Sequence, residues 1–238
     1  MNVAIIIAGG SGQRMHQDIP KQFLHVDNKP IIIYTLQVFQ RHPDIDAIEV
    51  VCIDGWHQVL KAYAEQYGID KLKWITSGGE SAQESIRNGV YNLRDKCSAD
   101  DIILIHDGIR PMVDETVISD CIEKCKRYGN GVTALPHNEH VFEAKDDIST
   151  AQYIPRDKTR CVQTPQAYGY SKLLAAYEEA YRREIGIYGA CYANTMMVDL
   201  GETLYFAVGS YKNIKITTPD DIELFKALLH SKKDTWLK

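Results

Sequence analysis

Val3-Ala4-Ile5-Ile6-Ile7-Ala8-Gly9-Gly10-Ser11-Gly12-Gln13-Arg14-Met15, followed after a short gap by Pro20-Lys21-Gln22-Phe23, is the stretch that decides the fold. The apolar run from Val3 to Ala8 is continuous rather than alternating, as in a strand covered on both faces of a parallel sheet. It stops at Gly9, Gly10 and Gly12, so the strand delivers a glycine loop to the sheet edge. Glycines there permit positive φ and close main-chain approach, which lets N–H groups converge on anionic oxygens. Ala8, Gly9, Gly10, Ser11 and Gly12 are therefore candidate nucleotide contacts. Arg14 and Lys21 add mobile positive charge, and the expectation is a loop that grips a polyphosphate. Without those two cations the same glycines would read as a tight turn after a core strand.

Two commoner glycine motifs do not fit. The Gly-Lys-Ser/Thr ending of a P-loop is absent, and Gly10-x-Gly12-x-x is followed by Met15 where a dinucleotide fingerprint needs Gly or Ala. Outward from the loop, apolar spacing predicts a helix over 31–39, a buried strand over 48–53, and a helix through Trp56, Val59, Leu60, Tyr63 and Tyr67. A strand over 72–76, a helix carrying Ile86, Val90 and Leu93, and a strand over 102–105 follow. A helix with Val117, Ile118, Cys121, Ile122 and Cys125 then leads to a strand over 131–135. This alternation predicts an α/β, Rossmann-like domain spanning 1–238, with a mostly parallel twisted sheet and helices on both faces.

Residues 136–157 interrupt the rhythm. They are polar, turn-rich and long for a connection, which predicts a protruding excursion. Within them His137, Glu139, His140 and Glu143 reproduce no established metal-ligand spacing. Helices are predicted over 171–184 and 188–201, the second with a Gly201 C-cap, and a sixth strand over 204–208. Thr218 reads as an N-cap with Pro219 at the first helical position and acidic residues in the first turn of a final helix.

Three further clusters bear polar chemistry. Gly78-Gly79-Glu80-Ser81 opens the helix that contains Ser85, and its first N–H groups can receive a carbonyl, hydroxyl or phosphate; an ordinary capped helix start is the alternative. Asp107 and Gly108, in His106-Asp107-Gly108-Ile109-Arg110-Pro111, fall at the C-terminal end of a parallel strand, the edge where open α/β sheets bind ligands. Asp107 can there hold Mg²⁺, directly or through water, beside triphosphate oxygens, or serve as a plain cap. Arg156, then Gln163-Thr164-Pro165-Gln166, offer a guanidinium and a hydroxyl suited to phosphate, with Arg160 as a competitor. Lys215 lies between Ile214 and Ile216 in an apolar alternation.

Bulk properties set limits. The 238 residues are 45% hydrophobic and 25% charged with a net charge of -5, which suits one sizeable core and does not advertise nucleic acid or an anionic membrane. Met1-Asn2-Val3 runs straight into the first strand without a basic region, a cleavage site or a spanning run, so a cytoplasmic protein is expected. The six cysteines include no C-x-x-C pair, and neither zinc nor a disulfide framework is indicated.

Ala8-Gly9-Gly10-x-Gly12-x-Arg14-Met15 with Pro20-Lys21-Gln22-Phe23 resembles the nucleotide loop of the polyol-phosphate cytidylyltransferases, chiefly those acting on 2-C-methyl-D-erythritol 4-phosphate and ribitol 5-phosphate. The His106-Asp107-x-x-Arg110-Pro111 hexad and Asn213-Ile214-Lys215-x-Thr217 extend the likeness. The resemblance implies a nucleotidyltransferase fold, CTP as substrate with Mg²⁺, and catalysis by Arg14, Lys21 and Lys215. It implies that Gly79, Glu80 and Ser85 help hold the cytidine. Arg110, Arg156, Thr164 and His140 are expected on the acceptor side, in a homodimer whose β-arm embraces the second subunit. Glu139-His140 and Cys191-Tyr192 depart from the family's Asp-Thr and Thr-Asp or Ser-Asp pairs. Methylerythritol phosphate, for isoprenoid precursors, is the first expected acceptor, ribitol 5-phosphate the second and a related polyol phosphate for a cell-surface polymer the third, with a nucleotide-binding module lacking catalysis as the reading from another class.

Overall fold

The computed structural model describes residues 1–10, 19–189 and 192–231. Its first strand, β1 (Asn2–Ala8), sends Val3 and Ile5 into one apolar cluster and Ala4, Ile6 and Ala8 into another. Both faces are covered, which is why the run is uniformly apolar. A 3-10 turn at Lys21–Phe23 and a small hairpin, β2 (His25–Val26) and β3 (Lys29–Pro30), lead to α1 (Ile31–Arg41). Next come β4 (Ala47–Cys52), α2 (His57–Gln66), β5 (Leu72–Ser77), α3 (Ala82–Asn92), β6 (Ile102–Asp107), α4 (Glu115–Tyr128) and β7 (Asn130–Pro136). The predicted excursion is a two-stranded arm, β8 (Val141–Asp146) and β9 (Ser149–Ile154). The chain then forms β10 (Arg160–Gly169), α5 (Tyr170–Arg183), α6 (Ala193–Asp199), β11 (Phe206–Val208) and α7 (Pro219–His230).

Seven strands form the main sheet in the order β11-β7-β10-β6-β1-β4-β5. The β1-β4, β1-β6, β4-β5 and β7-β11 pairs are parallel, while β10 runs antiparallel to both β6 and β7. On one face α1, α2 and α4 bring Leu36, Leu60 and Ile118 to the core; on the other α3, α5 and α6 bring Val90, Tyr177 and Met196. A third cluster around Phe225 seats α7 against Val26, Ile31, Ile109 and Ile216. Among the described residues no helix is long and apolar enough to cross a membrane.

Three elements differ from the sequence expectation. β10 was not anticipated, because Pro165 inside a polar Gln-Thr-Pro-Gln run argues against a central strand. It is accommodated by a register shift against β7 between Val162 and Gln166. The helix expected from 188 begins at Ala193, and the strand expected from 204 begins at Phe206.

Glu49 lies in the middle of β4 with its side chain buried. One oxygen accepts from Asn92 Nδ2 at 2.8 Å, and the other has no partner among the described residues. Burial pushes its carboxyl up to about 7 from 4.5, although the Asn92 bond and Lys96 pull the other way. A raised carboxyl means the folded state holds its proton while the unfolded chain has lost it, so this group's contribution falls as pH rises through that interval. The loss is roughly 3 kcal/mol at about 1.4 kcal/mol per pH unit. Glu49→Gln should match wild type in urea midpoint at pH 5 and exceed it at pH 8; equal midpoints at both would contradict the assignment.

Candidate active site

The register aligns the strand ends: Ala8 lies opposite Cys52, and Ile7 opposite Asp107. The carboxyl ends of β1 and β6 therefore open on one cavity of about 450 Å³. Gly9 and Gly10 form its floor beside the turn that opens α3, and Lys21 and Lys215 supply its positive charge. Ser11, Gly12 and Arg14, singled out in the sequence, lie outside the described residues.

Close main-chain approach builds the floor. A Cβ on Gly9 would sit 3.2 Å from Gly78 Cα, and one on Gly79 only 2.4 Å from Glu84 Cβ. The two glycine turns pack directly on each other, as only residues without side chains allow. Gln22 ties the Lys21 segment to the loop, donating to the Ala8 carbonyl at 2.7 Å and the Gly10 carbonyl at 3.0 Å. Gln22→Ala strands two carbonyls at the cavity and should cost about 1–3 kcal/mol. A fall in urea midpoint together with weaker CTP binding is the expected result; an unchanged midpoint would show that the tie is dispensable.

The α3 turn is more self-contained than its sequence suggests. Ser81 caps the helix by accepting from Glu84 N at 3.0 Å, and Glu84 accepts from Glu80 N at 2.8 Å. Ser85 Oγ accepts from Gly79 N and donates to the Ser81 carbonyl. Of the main-chain donors expected to face a ligand, those of Gly79, Glu80 and Glu84 are occupied within the turn. Gly79, Glu80 and Ser85 still line the cavity.

At the end of β6, Asp107 joins two cations. Its Oδ2 accepts from Arg110 Nε at 3.0 Å and its Oδ1 from Lys215 Nζ at 3.2 Å. Burial pushes the carboxyl up, but Lys215 and Arg110 outweigh it and hold Asp107 below its ordinary value. Arg110 also donates to the Asn213 carbonyl at 2.7 Å, and its side chain is only 12% exposed. It stands behind Asp107 rather than on the cavity wall. Gly108, also buried, donates its N–H to the Ile7 carbonyl and accepts from Thr35 Oγ1.

Thr164 reaches the cavity from β10 and accepts from Asp107 N at 3.1 Å. Its hydroxyl also meets His106 Nδ1 at 3.1 Å, while His106 Nε2 faces the Arg110 carbonyl at 3.3 Å. A carbonyl only accepts, so Nε2 carries the proton and Nδ1 accepts from Thr164. Burial pushes the imidazole down to about 4, which keeps it neutral and fixes that polarity. Buried Asn213 donates to the Thr164 carbonyl at 2.8 Å and so links the Lys215 segment to β10.

Arg156 and His140 are elsewhere. Both are exposed at the arm, where Arg156 donates to the Asn138 carbonyl at 3.2 Å, and neither lines this chain's cavity. Among the described residues no cluster of three or more His, Cys, Asp or Glu groups could hold a metal ion. Gln22, His106, Asn213 and Tyr192 were given no functional role on sequence grounds. For Gln22 and Asn213 the usable signal was position, each one or two residues from a candidate lysine.

The arrangement is a floor of glycine main chain, two lysines, and a buried network that sets the position of one carboxylate. Residues 2–231 match the family model described as 2-C-methyl-D-erythritol 4-phosphate cytidylyltransferase. The chain belongs to this family. Within the 2-C-methyl-D-erythritol 4-phosphate cytidylyltransferase family and its kin, the chain is 56% identical over 233 residues to ribitol-5-phosphate cytidylyltransferase of Lacticaseibacillus paracasei, covering 98% of this chain and 100% of the relative. It is 36% identical over 231 residues to 2-C-methyl-D-erythritol 4-phosphate cytidylyltransferase of Clostridium acetobutylicum, covering 96% and 97%. The crystal structure of 4-diphosphocytidyl-2C-methyl-D-erythritol synthase from Anaerococcus prevotii superposes with a TM-score of 0.81 at 26% identity, covering 97% of this chain and 98% of that one.

Proposed function

We propose that this chain transfers the cytidylyl group from CTP to the phosphate of ribitol 5-phosphate and releases pyrophosphate. The 56% identity to a ribitol-5-phosphate enzyme carries the choice of acceptor and reverses the order expected from the motifs, which put methylerythritol phosphate first. An acceptor phosphate oxygen attacks the α-phosphorus, and the bond from that phosphorus to the bridging oxygen of pyrophosphate breaks. No protein nucleophile is needed, so the site's task is to align two anions and offset the charge that develops on the equatorial and leaving oxygens.

The glycine floor receives phosphate oxygens. Lys21, Lys215 and Arg14 offset charge at the reacting centre, and Thr164 and Arg110 hold the acceptor side in place, Arg110 through Asp107. A cation held largely by substrate phosphates needs only one or two carboxylates. Asp107 fits that requirement, since each oxygen keeps a second lone pair beyond its one bond to a side chain. Bound there with the triphosphate, Mg²⁺ would neutralise charge on the departing pyrophosphate.

Arg156 and His140 belong, in this reading, to the acceptor site of a second copy in a homodimer that works in the cytoplasm. The arm exposes Phe142 and Tyr153 as a cross-strand pair, with Ile148 96% exposed at its tip, and an isolated two-stranded ribbon is marginal in water. Phe142→Asp should shift the protein to monomer in light scattering, and a dimer that survives would place the interface elsewhere.

Pyrophosphate release measured with CTP and ribitol 5-phosphate, methylerythritol 4-phosphate or glycerol phosphate in parallel tests the assignment, with ATP, GTP and UTP as controls. The expected result is a CTP-dependent signal that is largest with ribitol 5-phosphate. A larger signal with methylerythritol 4-phosphate overturns the acceptor, and CTP binding without turnover on any acceptor would favour a module that only binds.

A further inference from the structure

We infer that Tyr192 is a positioning residue for Lys215, its ring holding the lysine ammonium toward the cavity. Lys215 Nζ lies 5.5 Å from the centroid of the Tyr192 ring, within the range over which an aromatic face attracts a cation. Both residues line the same cavity.

Among the described residues the side chain of Tyr192 makes no hydrogen bond that caps the helix it precedes. It precedes α6, but the bonds that start this helix use its main chain: Tyr192 N donates to Thr195 Oγ1 at 2.9 Å, and Thr195 Oγ1 donates to the Tyr192 carbonyl at 3.0 Å. Neither does it fill the core. Ala193, Met196 and Met197 do so, whereas Tyr192 is 41% exposed. A large ring left half in solvent at a cavity wall, against a cation of the site, is doing something for that cation.

Lys215 has reason to need it. Among the described residues its anionic contact is Asp107, which is shared with Arg110. A flexible four-carbon stem is poorly fixed by one shared bond. A second carboxylate would fix it but would also neutralise it. A ring quadrupole attracts the ammonium while adding no negative charge, so none of the positive charge beyond what Asp107 already offsets is lost to an anionic substrate.

The catalytic consequence rests on the cytidylyl-transfer reading; the contact itself does not. Reductive dimethylation of the intact protein with isotope-labelled formaldehyde gives each lysine an NMR signal, and Lys215→Arg identifies the one that belongs to Lys215. That signal should be displaced upfield by the ring current in wild type and in Tyr192→Phe, and should return to the ordinary lysine position in Tyr192→Leu. On unmodified protein, Tyr192→Leu should lower kcat by about tenfold with the KM for CTP within about twofold, and Tyr192→Phe should recover most of the loss. A helix-start role would instead move the melting temperature. The inference is overturned if the Lys215 signal is the same in wild type and Tyr192→Leu, or if Tyr192→Phe behaves like Tyr192→Leu. Wild-type protein that releases no pyrophosphate would sink the cytidylyl-transfer reading, and the NMR signal would still decide the contact.

Discussion

Replacing Lys215 with alanine should lower kcat for CTP-dependent pyrophosphate release by about 100- to 1,000-fold, the usual effect of removing one preorganised group that meets developing charge. Charge builds on the phosphoryl oxygens only as the bond to pyrophosphate breaks, so kcat and kcat/KM should fall together while the KM for CTP changes little. Folding should be nearly untouched. Lys215 is 31% exposed, and Asp107 keeps its bond to Arg110 when the lysine is gone. The lost ion pair is then worth no more than about 1 kcal/mol. Lys215→Ala with turnover within about threefold of wild type would remove this lysine from the reacting centre.

Asp107→Ala should lose both activity and stability. The carboxylate is 17% exposed and Arg110 12%, so its removal leaves a largely buried guanidinium without a counter-charge. Breaking such a pair from one side costs about 3 kcal/mol, or a fall of about 6–12 °C in Tm for a chain of this length. The pH dependence has a definite sign. Asp107 is held below its ordinary 3.8 in the folded protein, so its contribution is complete above that pH and disappears as acid protonates the folded carboxylate. The deficit of Asp107→Ala should therefore be full at pH 7 and narrow in strong acid. Asp107→Asn, which keeps the volume and an acceptor oxygen for Arg110, should retain part of the stability without the charge. A Tm for Asp107→Ala within about 2 °C of wild type would show that the carboxylate is solvated rather than paired.

Much of this was legible in the linear chain. β1, β4 and β6 are largely apolar because both their faces are covered, with Glu49 the exception inside β4, and α4 is marked by the apolar stripe of Val117, Ile118, Cys121, Ile122 and Cys125. The glycine floor, Lys21, Asp107, Thr164 and Lys215 were likewise picked out, since each is a chemically distinctive residue at a strand end or in a short motif, and all five line one cavity. What stayed hidden has the opposite character. β10 carries a proline and polar residues in mid-sheet, tolerable only because its ladder shifts register there. The buried histidine His106, the Gln22 tie and the Asn213 tie are ordinary polar residues until their partners, 12 to 58 positions away, are known.

The sequence by itself determined the alternation of strand and helix, the glycine loop, and which cations and carboxylate are available, because period, apolarity and φ-permissiveness are local properties of residues. Only the tertiary structure decided how those groups are used. It set Arg110 behind Asp107 instead of in the cavity, occupied the N–H groups of Gly79, Glu80 and Glu84 with Ser85, Glu84 and Ser81, and brought Tyr192 over Lys215. Each is a contact between elements distant in the chain or a competition for the same donor, and such choices depend on how close packing places side chains, which no spacing along a sequence encodes.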